Sequence, residues 1–279
     1  MPTTRFQTTS CGKFFWGSAL CLGLALPVVE AGAEEAGSKP AAPEIKSVIG
    51  ALAMYRPEYL GGDDHELIGL PFIDLQYNQY FFNPINGAGV GMRPVEALTV
   101  GLGLGYAFGR DQDDADRLEG LGDIDGGAKV SFFADYKFEI TDTSPVLDAS
   151  YTLGLTVDHQ FTGDDTGVSG DLGFSRNDRL GERFMIINGV KAFFGSDAFQ
   201  DAWFGISERQ TLRSGLPVYD SDDVFHSAGV STRLLYFVTR ELNLITAVSY
   251  QKLIGDAGES PVVESQDQMS YQLGFSYAL

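Results

Sequence analysis

Cysteine is nearly absent. The two that occur, Cys11 and Cys21, fall within the first 33 residues, so the rest of the chain cannot depend on a disulfide framework. Long apolar runs are missing as well: beyond residue 33 nothing approaches the ~20 consecutive apolar residues that a membrane-spanning helix needs. That absence argues against a helical membrane protein but not against a barrel, whose strands need only about 9–11 residues and hide their apolar face by alternation. Basic residues are scarce, 19 Lys and Arg against 38 Asp and Glu, a formal charge of −19. Such a chain is repelled by phosphates, which argues against nucleic acid as a partner. The three histidines, His65, His159 and His226, show no metal-ligand spacing.

The first segment reads as an address. Arg5 and Lys13 form a basic n-region, Phe14 to Val29 an apolar core broken by Gly17, Ser18, Gly23 and Pro27, and Ala31-Gly32-Ala33 a small-residue cleavage site. A secretory signal peptide over 1–33 is expected. A lipoprotein reading of Cys21 is disfavoured, because Leu20 precedes it and the apolar core continues past it. Removal of Arg5, Lys13 and Glu30 with the leader leaves 17 basic and 37 acidic residues. Residues 34–45, rich in Ala, Pro and Glu, read as a flexible lead-in, and 46–279 as the folded part.

What the chain does have is alternation. In ALTVGLGLGYAFGR, Leu98, Val100, Leu102, Leu104, Tyr106 and Phe108 share one face, while Thr99, Gly101, Gly103, Gly105 and Ala107 share the other. The same period of two runs through KVSFFADYKF, where only Phe133 breaks ranks, through YTLGLTVDHQF, and through the final QMSYQLGFSYAL. These strands are long, carry aromatics near their ends and crowd Gly, Ser and Thr onto the polar face. A soluble sandwich shares the alternation. The other three features point to an all-β, antiparallel, up-and-down transmembrane barrel with its large side chains toward lipid. The glycines would then face a narrow lumen and make room for bulky or charged neighbours.

Strands are expected near 46–55, 67–82, 86–93, 97–108, 124–139, 146–162, 167–177, 182–195, 201–208, 223–239, 241–254 and 267–279. That makes about twelve, with ten and fourteen as alternatives, since 86–93, 167–177 and 201–208 are weak. The count carries a conflict of parity: it puts the long loop 109–122 on the periplasmic side, where turns are short.

Chemistry is sparse, and no cofactor is expected. The loop GRDQDDADRLEGLGDID holds Asp111, Asp113, Asp114, Asp116, Glu119, Asp123 and Asp125, but Asp116 stands where a calcium loop needs glycine and Gly122 where it needs a bidentate glutamate. A solvated acidic loop is the better reading. His159 or His226 beside a serine could activate a nucleophile, yet no such serine is indicated. Lys129, Asp135, Lys137, Asp158 and Arg233 lie within strands and are tolerable only facing the lumen, as ion pairs that fill it or as a selective constriction.

Four segments in order, LPFIDLQYNQYFF (70–82), GYAFGRDQDDADRLEGLGDID (105–125), WFGISERQTLRSGLPVY (203–219) and LIGDAGESPVV (253–263), with the closing GFSYAL, resemble the MipA/OmpV family of outer-membrane proteins. One departure is the last residue, Leu279, where outer-membrane barrels usually end in phenylalanine. The resemblance implies a barrel in the outer membrane of a Gram-negative bacterium, among lipids and lipopolysaccharide, without catalytic residues. It also implies a scaffold joining a lytic transglycosylase to a penicillin-binding protein, and it transfers no binding residue. A small cation-preferring porin and a surface adhesin are the alternatives.

Overall fold

The computed structural model describes residues 45–139, 148–164 and 166–279, so the expected leader over 1–33 and nearly all of the expected lead-in over 34–45 lie outside the described residues. Twelve antiparallel strands close into one barrel: β1 (Ile45–Pro57), β2 (His65–Tyr77), β3 (Tyr80–Asn83), β4 (Gly87–Val95), β5 (Leu98–Ala107), β6 (Gly127–Glu139), β7 (Asp148–Gln160), β8 (Val168–Leu180), β9 (Phe184–Gly195), β10 (Phe225–Phe237), β11 (Leu242–Leu253) and β12 (Asp267–Ala278). Each pairs with its neighbours in sequence, and β1 meets β12 from Val48↔Ala278 to Tyr55↔Tyr271, which closes the ring. The alternation sets the facing. Leu102, Leu104, Leu153, Val190, Leu273 and Phe275 are exposed on the outer wall, as a lipid-facing band requires.

Aromatic rings gather at both ends of that band. One group holds Tyr136, Phe138, Tyr151 and Phe174 in contact, with Phe184 against Tyr236. The other holds Tyr55 with Tyr271, Tyr106 with Phe108, and Phe194 with Phe225. These are the two interfacial girdles of a membrane barrel.

The number of strands is the expected one, but two assignments differ in compensating ways. The segment 67–82 is two strands, because Asn78 takes a left-handed φ of 54° and turns the chain between Tyr77 and Tyr80. The segment 201–208 is no strand; Asp197–Phe204 is a helix, α1. Splitting the first resolves the parity conflict. The connections 58–64, 84–86, 108–126, 161–167, 196–224 and 254–266 now share one end, and the turns 78–79, 96–97, 181–183 and 238–241 share the other. By the rule that long loops face outward and short turns the periplasm, the loop 109–122 is extracellular. Two more helices ride on the long loops, α2 (Glu208–Ser214) and α3 (Gly255–Glu259).

Candidate functional site

The inward glycines are occupied by neighbours. A Cβ at Gly101 would run into the Phe133 ring, one at Gly89 into the Phe81 ring, and one at Gly103 into the carbonyl of Asn86. Phe81 and Phe133 meet edge to face at 5.6 Å. The residue that broke the alternation is thus an inward ring laid on a glycine floor.

The interior has two unlike halves. On the side of β1, β2 and β9 to β11, Leu52, Met54, Leu70, Phe72, Leu235 and Ile245 form one buried apolar cluster, joined by Met185 and Ile187. Side chains from five strands therefore meet inside the barrel, which plugs that half. On the side of β6 to β9 the interior is charged. Lys129 Nζ lies 2.6 Å from Asp158 Oδ2, and Lys191 Nζ 2.7 Å from Asp171 Oδ1. One row across the sheet reads Asp135, Gly154, Gly173, Lys191, so two glycines give the long side chains space to lie flat.

Among the residues singled out from sequence, Lys129 and Asp158 are thus brought together. Asp135 lies on the same inner face, Lys137 is exposed toward the periplasmic end, and Arg233 is buried on the inner face of β10. The acidic loop is ordered rather than merely solvated. Asp111 caps the 3-10 turn Gln112–Asp114, and Asp114 Oδ2 accepts from the Asp111 N–H at 2.9 Å. Asp123 Oδ1 accepts from the Gln112 N–H at 2.9 Å. Asp113, Asp116 and Glu119 are exposed. Among the described residues no three acidic, His or Cys side chains are grouped to hold a metal ion.

Above the plug sits a lid that the sequence did not reveal. Leu60, Ile124, Phe199, Trp203, Phe204 and Leu253 form one small core; Tyr59, Leu118, Leu121, Ile206 and Val262 form another. Both draw on the loops that follow β1, β5, β9 and β11. Polar side chains tie the loops to one another: Tyr59 Oη donates to the Val262 carbonyl at 3.0 Å, Arg117 Nε to that of Pro261 at 2.7 Å, and Ser260 Oγ to that of Phe204 at 2.6 Å. Arg110, on the loop after β5, is buried, donates to the Trp203 carbonyl at 3.1 Å and lies over the Trp203 ring. Burial lowers its pKa to about 10.

Glutamines do much of the tethering. Gln268 Nε2 donates to the carbonyls of Gly62 and Ser265, and its Oε1 accepts from the Gly61 N–H. Gln160 Nε2 reaches the carbonyls of Asp125, Thr162 and Asp164. Replacing Gln268 by leucine should cost about 1–3 kcal/mol locally, because buried backbone groups lose their partners. Faster protease cleavage within 58–64, with the barrel still heat-modifiable, is the expected readout.

His226 lies under the lid between Phe199 and Phe204, its Nδ1 3.1 Å from Ser227 Oγ. That hydroxyl is fully buried and also accepts from Gln251 Nε2 at 2.6 Å. The pair is sealed beneath aromatic rings, where no substrate reaches it. His159 lies on the outer wall beside the Gly167 carbonyl.

Three lid carboxyls, Glu58, Asp114 and Asp201, are held above the ordinary carboxylate range, burial being the first cause in each. For Asp114 burial is the main cause, opposed by its hydrogen bond from Asp111 and reinforced by Asp111 and Glu66. For Glu58 burial is followed by Asp64, Glu66 and Asp114. A raised folded pKa means the native lid binds protons more tightly than the unfolded loops, so stability falls as pH rises from the unfolded value through the raised folded one. Protease resistance of the lid should therefore increase on acidification from neutral pH toward about 4, the ordinary carboxylate range.

A closed twelve-stranded wall with an apolar band, two aromatic girdles and its long loops at one end defines an outer-membrane β-barrel. The sequence pattern of the family described as MltA-interacting protein MipA matches residues 49–279, and the chain belongs to that family. A 24% identical relative is the inferred outer membrane protein YiaT of Escherichia coli K12; the match spans 111 residues, 40% of this chain and 44% of YiaT. Among solved structures, an outer membrane channel from Pseudomonas putida F1 overlaps with a TM-score of 0.45 at 12% identity, over 88% of this chain and all of that one. The KdgM porin overlaps with 0.40 at 10% identity, over 83% and 99%.

Proposed function

We propose that the protein is a non-enzymatic structural barrel that holds murein-remodelling enzymes, a lytic transglycosylase and a penicillin-binding protein, at the inner face of the outer membrane. The observation that carries this reading is the filled interior: the Leu52, Phe72 and Leu235 cluster plugs one half of the lumen, and the lid closes its outer end. A barrel that blocks its own pore serves as an anchor, and the family name supplies the kind of partner. The surface it offers to the periplasm includes Glu182, Arg183, Arg240 and Glu241, all exposed on short turns. Gentle extraction followed by pull-down should recover a lytic transglycosylase; its repeated absence, with the barrel intact, would defeat the reading.

The charged half of the lumen favours a second reading, a small cation-preferring porin, since Asp135, Asp158 and Asp171 share the inner face. Planar-bilayer recording separates the two. The anchor predicts a folded and silent barrel, the porin reproducible cation-selective steps.

A further inference from the structure

The barrel wall is incomplete in its outer half. β3 has four residues, and it covers β2 only from Leu75 to Tyr77. β4 covers β5 only up to Leu104. Among the described residues, no strand lies above those levels between β2, from His65 to Asp74, and β5, from Gly105 to Ala107. With two strands missing, the backbones on either side stand about three strand spacings apart, ~14 Å.

The direction of the unused backbone groups follows from register. The Gly91 N–H donates to the Gln79 carbonyl, so Tyr80 and Phe82, of opposite parity, bond toward β2, where they face Tyr77 and Leu75. Odd-numbered residues of β2 therefore aim their backbone groups away from β1. At Leu67, Gly69, Pro71 and Ile73 that direction is the gap. Proline stands where one missing N–H would have pointed, which blunts the edge against addition of another strand.

The rim of the gap is apolar. Leu67 is 72% exposed, Leu104 62% and Tyr106 55%, and a Cβ at Gly69 would meet nothing within 4 Å. Behind it lie Leu70 and Phe72 of the apolar plug. The gap is thus a window in the outer half of the wall. In hydrocarbon, unpaired N–H and C=O groups are costly. An occupant must therefore combine an apolar chain with hydrogen-bonding groups.

We infer that the window between β2 and β5 is a lateral binding site for a lipid of the outer leaflet. Its acyl chain lies against Leu67, Leu104 and Tyr106 and reaches Leu70 and Phe72, while its ester or amide linkages meet the free backbone groups of β2. The site is independent of the scaffold reading and stands or falls on the membrane wall alone.

The test places a tryptophan on the inner face beside the window, Phe72→Trp, or Ile68→Trp should the first not fold, and compares it with Met185→Trp on the far side of the plug. The barrel is reconstituted in vesicles of phosphatidylcholine brominated on its acyl chains. Quenching severalfold stronger at position 72 or 68 than at 185, relative to the parent, is expected. Equal protection of the two sides overturns the proposal; equal protection with covalent dimers on cross-linking overturns it in favour of a second copy. Added lipopolysaccharide that relieves the quenching identifies that lipid as the source of the chain, and no relief identifies the phospholipid. Hydrogen exchange gives an independent reading: the amides of Leu67, Gly69 and Ile73 should exchange faster than those of Ile68, Leu70 and Phe72 in lipid-free detergent. Uniform protection along β2 also overturns the site.

Discussion

Gly101→Leu should prevent the barrel from closing. The inner face at that position already carries the Phe133 ring, and the Val90 carbonyl stands 2.8 Å from where a Cβ would sit. The ring could rotate away, but the carbonyl belongs to the β4 ladder and cannot move without breaking the pairing of Val90 with Leu102. Overpacking a core usually costs ~1–3 kcal/mol. Here a side chain of four carbons meets backbone on one side and two aromatic rings beyond, so the cost should exceed that range. Loss of heat-modifiable migration and of outer-membrane material would report it. Gly101→Ala should fold with a lowered urea midpoint. In the Gly101→Leu background, Phe133→Ala should restore part of the loss, because the two positions share one space. A rescue by Phe133→Ala as large as any by substitutions on the opposite wall would show the clash to be elsewhere.

That glycine floor was half legible in the sequence. Period-two alternation is a local property, so the long strands β5, β6, β7 and β12 could be read from their own residues, and so could the small face of β5. What filled the space could not, because Phe81 and Asn86 come from neighbouring strands and turns. The turn at Asn78 lay inside an aromatic-rich stretch, LQYNQYFF, and a single left-handed asparagine is a weak signal among so many aromatic β formers. In α1 the aromatics Phe199, Trp203 and Phe204 mimic strand composition; the step of four from Phe199 to Trp203 is helical, but eight residues are too few to establish a period. The lid escaped notice for a deeper reason: its cores join residues from four loops, and nothing in any one loop records that union. Of the candidate site, Lys129 and Asp158 were legible as charges that must face inward, but their contact follows from the pairing of β6 with β7, which only the closed sheet fixes.

Lys129→Met should be the costliest single change on the charged side of the lumen. Asp158 keeps its Oδ2 on Lys129, and its Oδ1 is buried without a hydrogen bond. Removing the ammonium leaves a carboxylate inside the barrel with no cation in contact, and breaking such a pair costs about 3–5 kcal/mol when fully buried. Both side chains retain some exposure to the lumen, 15% and 22%, so the low end, about 3 kcal/mol, applies. Asp158→Asn in that background should recover most of the loss, since a matched neutral pair removes the stranded charge without opening a void. A urea-unfolding cycle of the four proteins measures the coupling. The double variant also tests where the barrier to ions lies. If the apolar plug and the lid close the barrel, Lys129→Met with Asp158→Asn will fold and stay silent in a bilayer, because neither barrier has been touched. Currents that arise only in the double variant would locate the gate at the ion pair and turn the charged half of the lumen from filling into a pathway.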